Sequence, residues 1–112
     1  MRLDSKRTLI ATEKLRDYVL NCSHPEGESK ARFLGDIGYE QRSWQRLEAD
    51  LRLQHLSQEV SSGKQSMYGM KYQIIAPLIG PNGRQAWIRS IWIVRTGESC
   101  ARFVTLVPEP KP

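Results

Sequence analysis

His24-Pro25-x-Gly27-x-x-Lys30-Ala31-Arg32 puts an imidazole, an ammonium and a guanidinium within nine residues, on a loop and the start of a helix. A helix N-terminus offers free N–H groups and a partial positive charge, so an anion such as phosphate can dock there with Lys30 and Arg32 closing around it. Gly27 lets backbone approach closely at that point. The plain alternative is that His24 caps or packs the loop, with Lys30 and Arg32 as solvated helix charges. His55 falls four residues after Leu51 on a helical stripe and reads as a packing histidine. Arg89 sits among apolar neighbours mid-strand, where its guanidinium needs solvent or a carboxylate partner. GxxxxGK[ST], GxGxxG and the nucleophile elbow are all absent, so no triphosphate enzyme is indicated.

These groups need a scaffold, and the chain supplies one in two halves. Before residue 60 the pattern is helical. Leu9-Ile10-Ala11 reads as a short extended segment, Thr12 as an N-cap, and Leu15, Tyr18, Val19 and Cys22 as one stripe of a helix ending near Asn21. The loop Asn21–Gly27 follows, then about two turns of helix from Glu28 to Gly35 with Ala31 and Leu34 or Phe33 facing inward. Glu40 to Gln58 is the longest helical signal, with Trp44, Leu47 and Leu51 on its stripe. Ser61–Ser66 is polar and reads as a surface loop.

From Gly69 to Val107 the pattern changes to strands. Met70, Tyr72, Ile74 and Ala76 alternate with more polar residues. Gly80-Pro81-Asn82-Gly83 makes a turn, Gln85–Arg95 is apolar on both faces as a central strand should be, and Thr96–Ser99 turns the chain into Cys100–Val107. Register places Val94 opposite Ala101, Trp92 opposite Phe103, Ser90 opposite Thr105 and Ile88 opposite Val107. Matching apolar with apolar in the first hairpin puts Met70 near Trp92 and Ile74 near Ile88. Tyr72, Ser90 and Thr105 then meet across three strands, as a satisfied hydroxyl network. Trp87 and Trp92 read as core, not as base-stacking platforms.

The fold class is therefore α+β, with N-terminal helices packed on a three- to four-stranded antiparallel meander. Residues 1–107 form one domain and 108–112 an extended, poorly ordered Pro-rich tail. The 112 residues carry 17 basic and 12 acidic side chains, a net charge of +5, which favours polyanionic partners such as RNA. No apolar run suits a membrane span or a signal peptide, so the expected setting is cytoplasmic, without a membrane partner. Cys22 and Cys100 read as reduced thiols, and with His24 and His55 they offer no zinc spacing. No cofactor or metal is expected.

Several segments together resemble a bacterial family of unknown function: Tyr18-Val19-Leu20-Asn21, His24-Pro25, Lys30-Ala31-Arg32-Phe33, Tyr68-Gly69-x-Lys71-Tyr72, Gly80-Pro81-Asn82-Gly83-Arg84, Ala86-Trp87-Ile88-Arg89 and Phe103-Val104-Thr105-x-Val107-Pro108. Its members are small stand-alone proteins, common in cyanobacteria, or C-terminal domains of adhesin-like proteins. Ser90 stands where that family's pattern suggests Thr. More distantly, helices followed by an antiparallel sheet with a late Thr-bearing strand are similar to the barnase, EndoU, colicin D and RelE-like ribonucleases, many of them toxins. That resemblance implies metal-independent RNA cleavage. His24 would be acid or base and Lys30 and Thr105 would join it in catalysis. Arg32 and Arg89 would bind phosphate. The alternative is a non-enzymatic interaction module with a cognate protein partner, such as the partner of a toxin.

Overall fold

The computed structural model describes residues 1–110. Helical segments of the N-terminal half precede a four-stranded antiparallel sheet, and the order β1-β2-β3-β4 follows the chain. The strands are β1 (Ser62–Ser66), β2 (Gly69–Ile79), β3 (Gln85–Arg95) and β4 (Arg102–Pro108). One sheet face carries Ile74, Ala76, Leu78, Ile88, Trp92, Phe103 and Leu106 into a core shared with the helices. The period-2 alternation of β2 sets this division, because successive side chains point to opposite faces.

Helix α1 (Thr12–Lys14) continues as a π-helical segment (Leu15–Val19), in which Leu20 N–H reaches back to Leu15 O at 3.0 Å. Its N-cap is Ala11, not Thr12, and it stops before Cys22, which is exposed. Leu15 and Val19 are buried; Tyr18 is only half-buried. Helix α2 (Glu28–Asp36) buries Ala31 and Leu34. Helix α3 (Trp44–Asp50) follows a 3₁₀ turn (Gln41–Ser43) and widens into a second π-helical segment (Leu51–His55). Widened turns of this kind often mark positions where a side chain is re-aimed.

The expected loop over Ser61–Ser66 is instead strand β1, paired with β2 from Ser62↔Gln73 to Ser66↔Gly69. Its side chains are nearly all exposed, so it lacks the apolar alternation that announces a strand. The β2–β3 register also differs. Tyr72 pairs with Trp92, Ile74 with Ser90 and Ala76 with Ile88, two residues from the expected match. A two-residue slip keeps every side chain on its face but changes its neighbours. The cause is the turn: Gly80 N–H bonds Arg84 O at 2.9 Å and Asn82 Nδ2 donates to Asp36 O at 3.1 Å, so the loop is longer and docked on the end of α2.

Between β3 and β4 the expected register holds at Trp92↔Phe103 and then breaks. A bulge there shifts the rest, so Thr105 pairs with Ile91 and Leu106 with Ser90. The expected meeting of Tyr72, Ser90 and Thr105 therefore does not occur. A bulge inserts one residue and turns the following side chains to the other face. Beyond β4 the chain's own Leu9 adds a parallel bridge to Arg102. The tail is held further than expected: Pro108 still pairs with Ile88, and Glu109 N–H donates to Trp87 O at 3.0 Å. The expectation of disorder for Lys111 and Pro112 lies outside the described residues.

Candidate functional site

The bulge in β4 sends the Thr105 hydroxyl to the first helix, where its Oγ1 lies 3.0 Å from the phenol oxygen of Tyr18. Around this pair is an open hollow of about 300 Å³ lined by Lys14, Tyr18, His24, Glu26, Val104 and Thr105. The six lining residues come in pairs from three local structures: the first helix, the loop after it, and the edge strand.

The loop is held by its own backbone. Asn21 Oδ1 accepts from Ser23 N–H at 2.9 Å, and Asn21 Nδ2 donates to Asp17 O at 3.2 Å. Gly27 then passes so close to the first helix that a Cβ there would sit 1.9 Å from Tyr18 O. Only glycine permits that approach without displacing backbone. His24 Nδ1 accepts from the backbone N–H groups of Glu26 at 3.0 Å and Gly27 at 3.1 Å. With Nδ1 committed as an acceptor, the neutral imidazole carries its proton on Nε2 and can donate from it. His24 is thus a cap, as the plain reading held, and also a wall of the hollow: its ring centroid is 5.0 Å from that of Tyr18.

Two ammonium groups reach the same phenol ring. Lys30 Nζ lies 5.4 Å from its centroid and Lys14 Nζ 5.8 Å. The cations favour the negative face of the ring and leave their remaining donors to solvent or an anion. Arg32, two residues after Lys30, points to another side of α2 because two helical steps rotate by about 200°. There it pairs with Glu28 one turn earlier, and both side chains are largely exposed. Arg89 makes a two-pronged pair with Glu109, both nitrogens at 2.8 Å from carboxylate oxygens. So of the sequence-derived candidates, His24, Lys30 and Thr105 gather around Tyr18, while Arg32 and Arg89 are engaged elsewhere.

Sequence reasoning missed Tyr18, Lys14 and Glu26. Tyr18 had been counted with the apolar stripe of its helix. Its nearness to the His24 loop in sequence was the available signal. Thr105 could not be assigned to this side without knowing the bulge.

His55, the second histidine, is fully buried and has both nitrogens engaged, Nδ1 with Ser90 Oγ at 2.7 Å and Nε2 with Ala76 O at 3.2 Å. Trp92 Nε1 donates to the same Ser90 oxygen at 2.8 Å. Burial pushes the His55 imidazole down from 6.5 to about 4, opposed in part by the bond to Ala76. Buried Asp50 accepts from Tyr39 Oη at 2.6 Å and Arg46 Nε at 3.1 Å. Burial, followed by the bond to Asp50, raises the Tyr39 phenol above its ordinary range. No group of three or more His, Cys, Asp or Glu side chains among the described residues could hold a metal ion. No helix among them is long and apolar enough to cross a membrane.

Comparison with curated proteins returns no match. Among solved structures, the chain is similar to one from a contact-dependent growth inhibition toxin–immunity protein complex of Klebsiella pneumoniae 342. The TM-score is 0.69 at 17% identity, over 91% of this chain and 100% of that one. At that identity the likeness establishes a shared fold. A family model matches residues 2–110, and the chain belongs to that family, a domain of unknown function designated DUF6883.

Proposed function

We propose that the protein is a toxin-type ribonuclease that cleaves RNA at the Tyr18–His24–Thr105 hollow without needing a metal. The observation that carries this reading is the gathering of an imidazole, two hydroxyls and the Lys14 ammonium on one open hollow, with the Lys30 ammonium against the Tyr18 ring that lines it. In support, the fold is shared with a chain of a toxin–immunity complex.

In the proposed reaction the RNA 2′-oxygen forms a bond to the adjacent phosphorus and the bond from phosphorus to the 5′-oxygen breaks. The products are a 2′,3′-cyclic phosphate and a free 5′-hydroxyl. Glu26 is the one carboxylate lining the hollow and takes the proton of the 2′-hydroxyl. Lys30 returns a proton to the departing 5′-oxygen. His24 Nε2–H and the Thr105 hydroxyl donate to the phosphoryl oxygens as charge develops, with Tyr18 fixing Thr105. Preorganised donors of this kind are each worth about 10²–10³ in rate, and positioned acid–base groups about 10²–10⁴. Arg32 and Arg89, paired with Glu28 and Glu109, have no part in this step.

The test is digestion of total RNA in EDTA by the wild type and by Lys30→Ala, with the product ends identified. Fragments ending in 2′,3′-cyclic phosphate, formed at least a hundredfold more slowly by the variant, are expected. Absence of cleavage by the wild type, or an unaffected variant, would remove the enzymatic reading. It would leave a second one, a non-enzymatic module with a cognate protein partner. The structural neighbour comes from a complex of a toxin with its immunity protein, and a fold shared with either partner fits this second reading as well as the first.

A further inference from the structure

On the sheet face opposite the helices, register aligns Lys64 with Lys71, Lys71 with Ile93, and Ile93 with Arg102. Residues directly opposite share a face, so three cations stand in one row across all four strands. Lys64 and Lys71 are immediate neighbours, and like charges placed so are destabilising until an anion lies against them. Neither they nor Lys14 and Arg95 have a carboxylate within ion-pairing distance among the described residues. Arg102 is bonded to Glu98, whose carboxylate also feels Arg95.

Beside this row runs a groove of about 830 Å³ whose lining includes Lys14, Tyr68, Lys71, Ile93, Arg95 and Arg102, and no acidic residue. Met67 and Tyr68, at the β1–β2 turn on its rim, are 85% and 67% exposed. Lys14 and Val104 line both the groove and the hollow, so the two adjoin at these residues.

From this we infer that the groove is a single-strand RNA track leading from the hollow over the free sheet face, with phosphates on Lys14, Lys71, Lys64 and Arg95 and a base stacked on Tyr68. The inference rests on reading the hollow as an RNA-cleaving site, and it adds where the flanking nucleotides run. Cations spaced along a groove with an exposed aromatic are the two features that hold single strands independently of sequence. An acidic protein segment would match the charges, but neither the adjacency to the hollow nor the exposed ring is needed for it.

The experiment uses labelled 2′-O-methyl oligonucleotides, which lack the attacking hydroxyl, in three- and nine-nucleotide lengths, with binding followed by fluorescence anisotropy across salt concentrations. The wild type should bind the longer strand about tenfold or more tightly than the shorter one. A Lys64→Glu/Lys71→Glu variant and Tyr68→Ala should lose most of that gain, and the charge reversal should flatten the salt slope by about 1.4 through two lost phosphate contacts. These three side chains are exposed, so the fold should survive their replacement. Equal affinity for both lengths, or a gain untouched by the variants, overturns the track. So does displacement of the long strand by an oligoglutamate of equal charge as readily as by unlabelled RNA, which would assign the face to an acidic protein. Intact length dependence in a protein that cleaves no RNA would support the track while rejecting the catalytic reading of the hollow.

Discussion

Each of the two histidines in this molecule belongs to a grouping that also holds a hydroxyl and an aromatic ring, and the two groupings serve opposite ends. In the core, the chain of donors is complete: Trp92 Nε1–H to Ser90 Oγ, the Ser90 hydroxyl to His55 Nδ1, and His55 Nε2–H to the Ala76 carbonyl. The tautomer follows from the last bond, because a carbonyl can only accept. At the β4 edge, Tyr18 and Thr105 share a bond while His24 spends one nitrogen on backbone amides and keeps the other. In the first set every side-chain N–H and O–H is paired and every member is buried. The second keeps unspent donors on an open surface. The same residue types make structure in one place and an available surface in the other, and burial together with unspent valence separates them.

If that contrast is right, the core set should dominate stability. The largest effect is expected from Trp92→Ala, which empties the most voluminous fully buried site and should cost about 3–5 kcal/mol in urea unfolding. Tyr18→Phe, by contrast, should cost under about 1 kcal/mol.

Next in size is a pH effect. His55 stays neutral in the fold down to about pH 4, whereas an unfolded histidine takes its proton near 6.5. The unfolded state therefore binds an extra proton in that window, and its contribution to stability is complete above pH 6.5 and lost progressively as pH falls toward 4. At about 1.4 kcal/mol per unit the loss reaches roughly 3 kcal/mol. Unfolding followed against pH should show it, and a His55→Gln protein should not.

Smaller still, Ser90→Ala should cost about 1–3 kcal/mol because it strands a buried ring N–H and a buried imidazole nitrogen. Thr105→Val, at a half-exposed position, should cost less than about 1 kcal/mol while lowering cleavage at least tenfold. The smallest effect belongs to Arg32→Ala. It removes an exposed one-turn ion pair worth about 0.3–0.5 kcal/mol, with cleavage unaltered. A large drop in cleavage there would mean that Arg32 leaves Glu28 to serve the hollow.

Much of this architecture was legible in the chain. The alternation of Met70 to Ala76, the doubly apolar Gln85–Arg95 and the stripe of Trp44, Leu47 and Leu51 each report burial directly, and burial is what divides the sheet faces. Strand β1 was invisible because an exposed edge strand such as Ser62–Ser66 buries almost nothing and leaves no pattern. Register was harder again. The Gly80–Arg84 loop is lengthened by contacts to α2, and the β4 bulge depends on packing that no local residue type announces. The gathering of His24, Lys30 and Thr105 could be suspected from their chemistry. Tyr18 at its centre reads in sequence as one more residue of a buried stripe.

The claim underneath all of this is that the edge grouping acts on RNA while the core grouping only holds the fold. Its most direct test is the single-turnover cleavage rate of an oligoribonucleotide in EDTA for the wild type and for a His24→Ala protein shown by urea unfolding to be folded. A fall of about a hundredfold or more, through loss of the Nε2–H donor, is the expected result. Equal rates from the two folded proteins would contradict it.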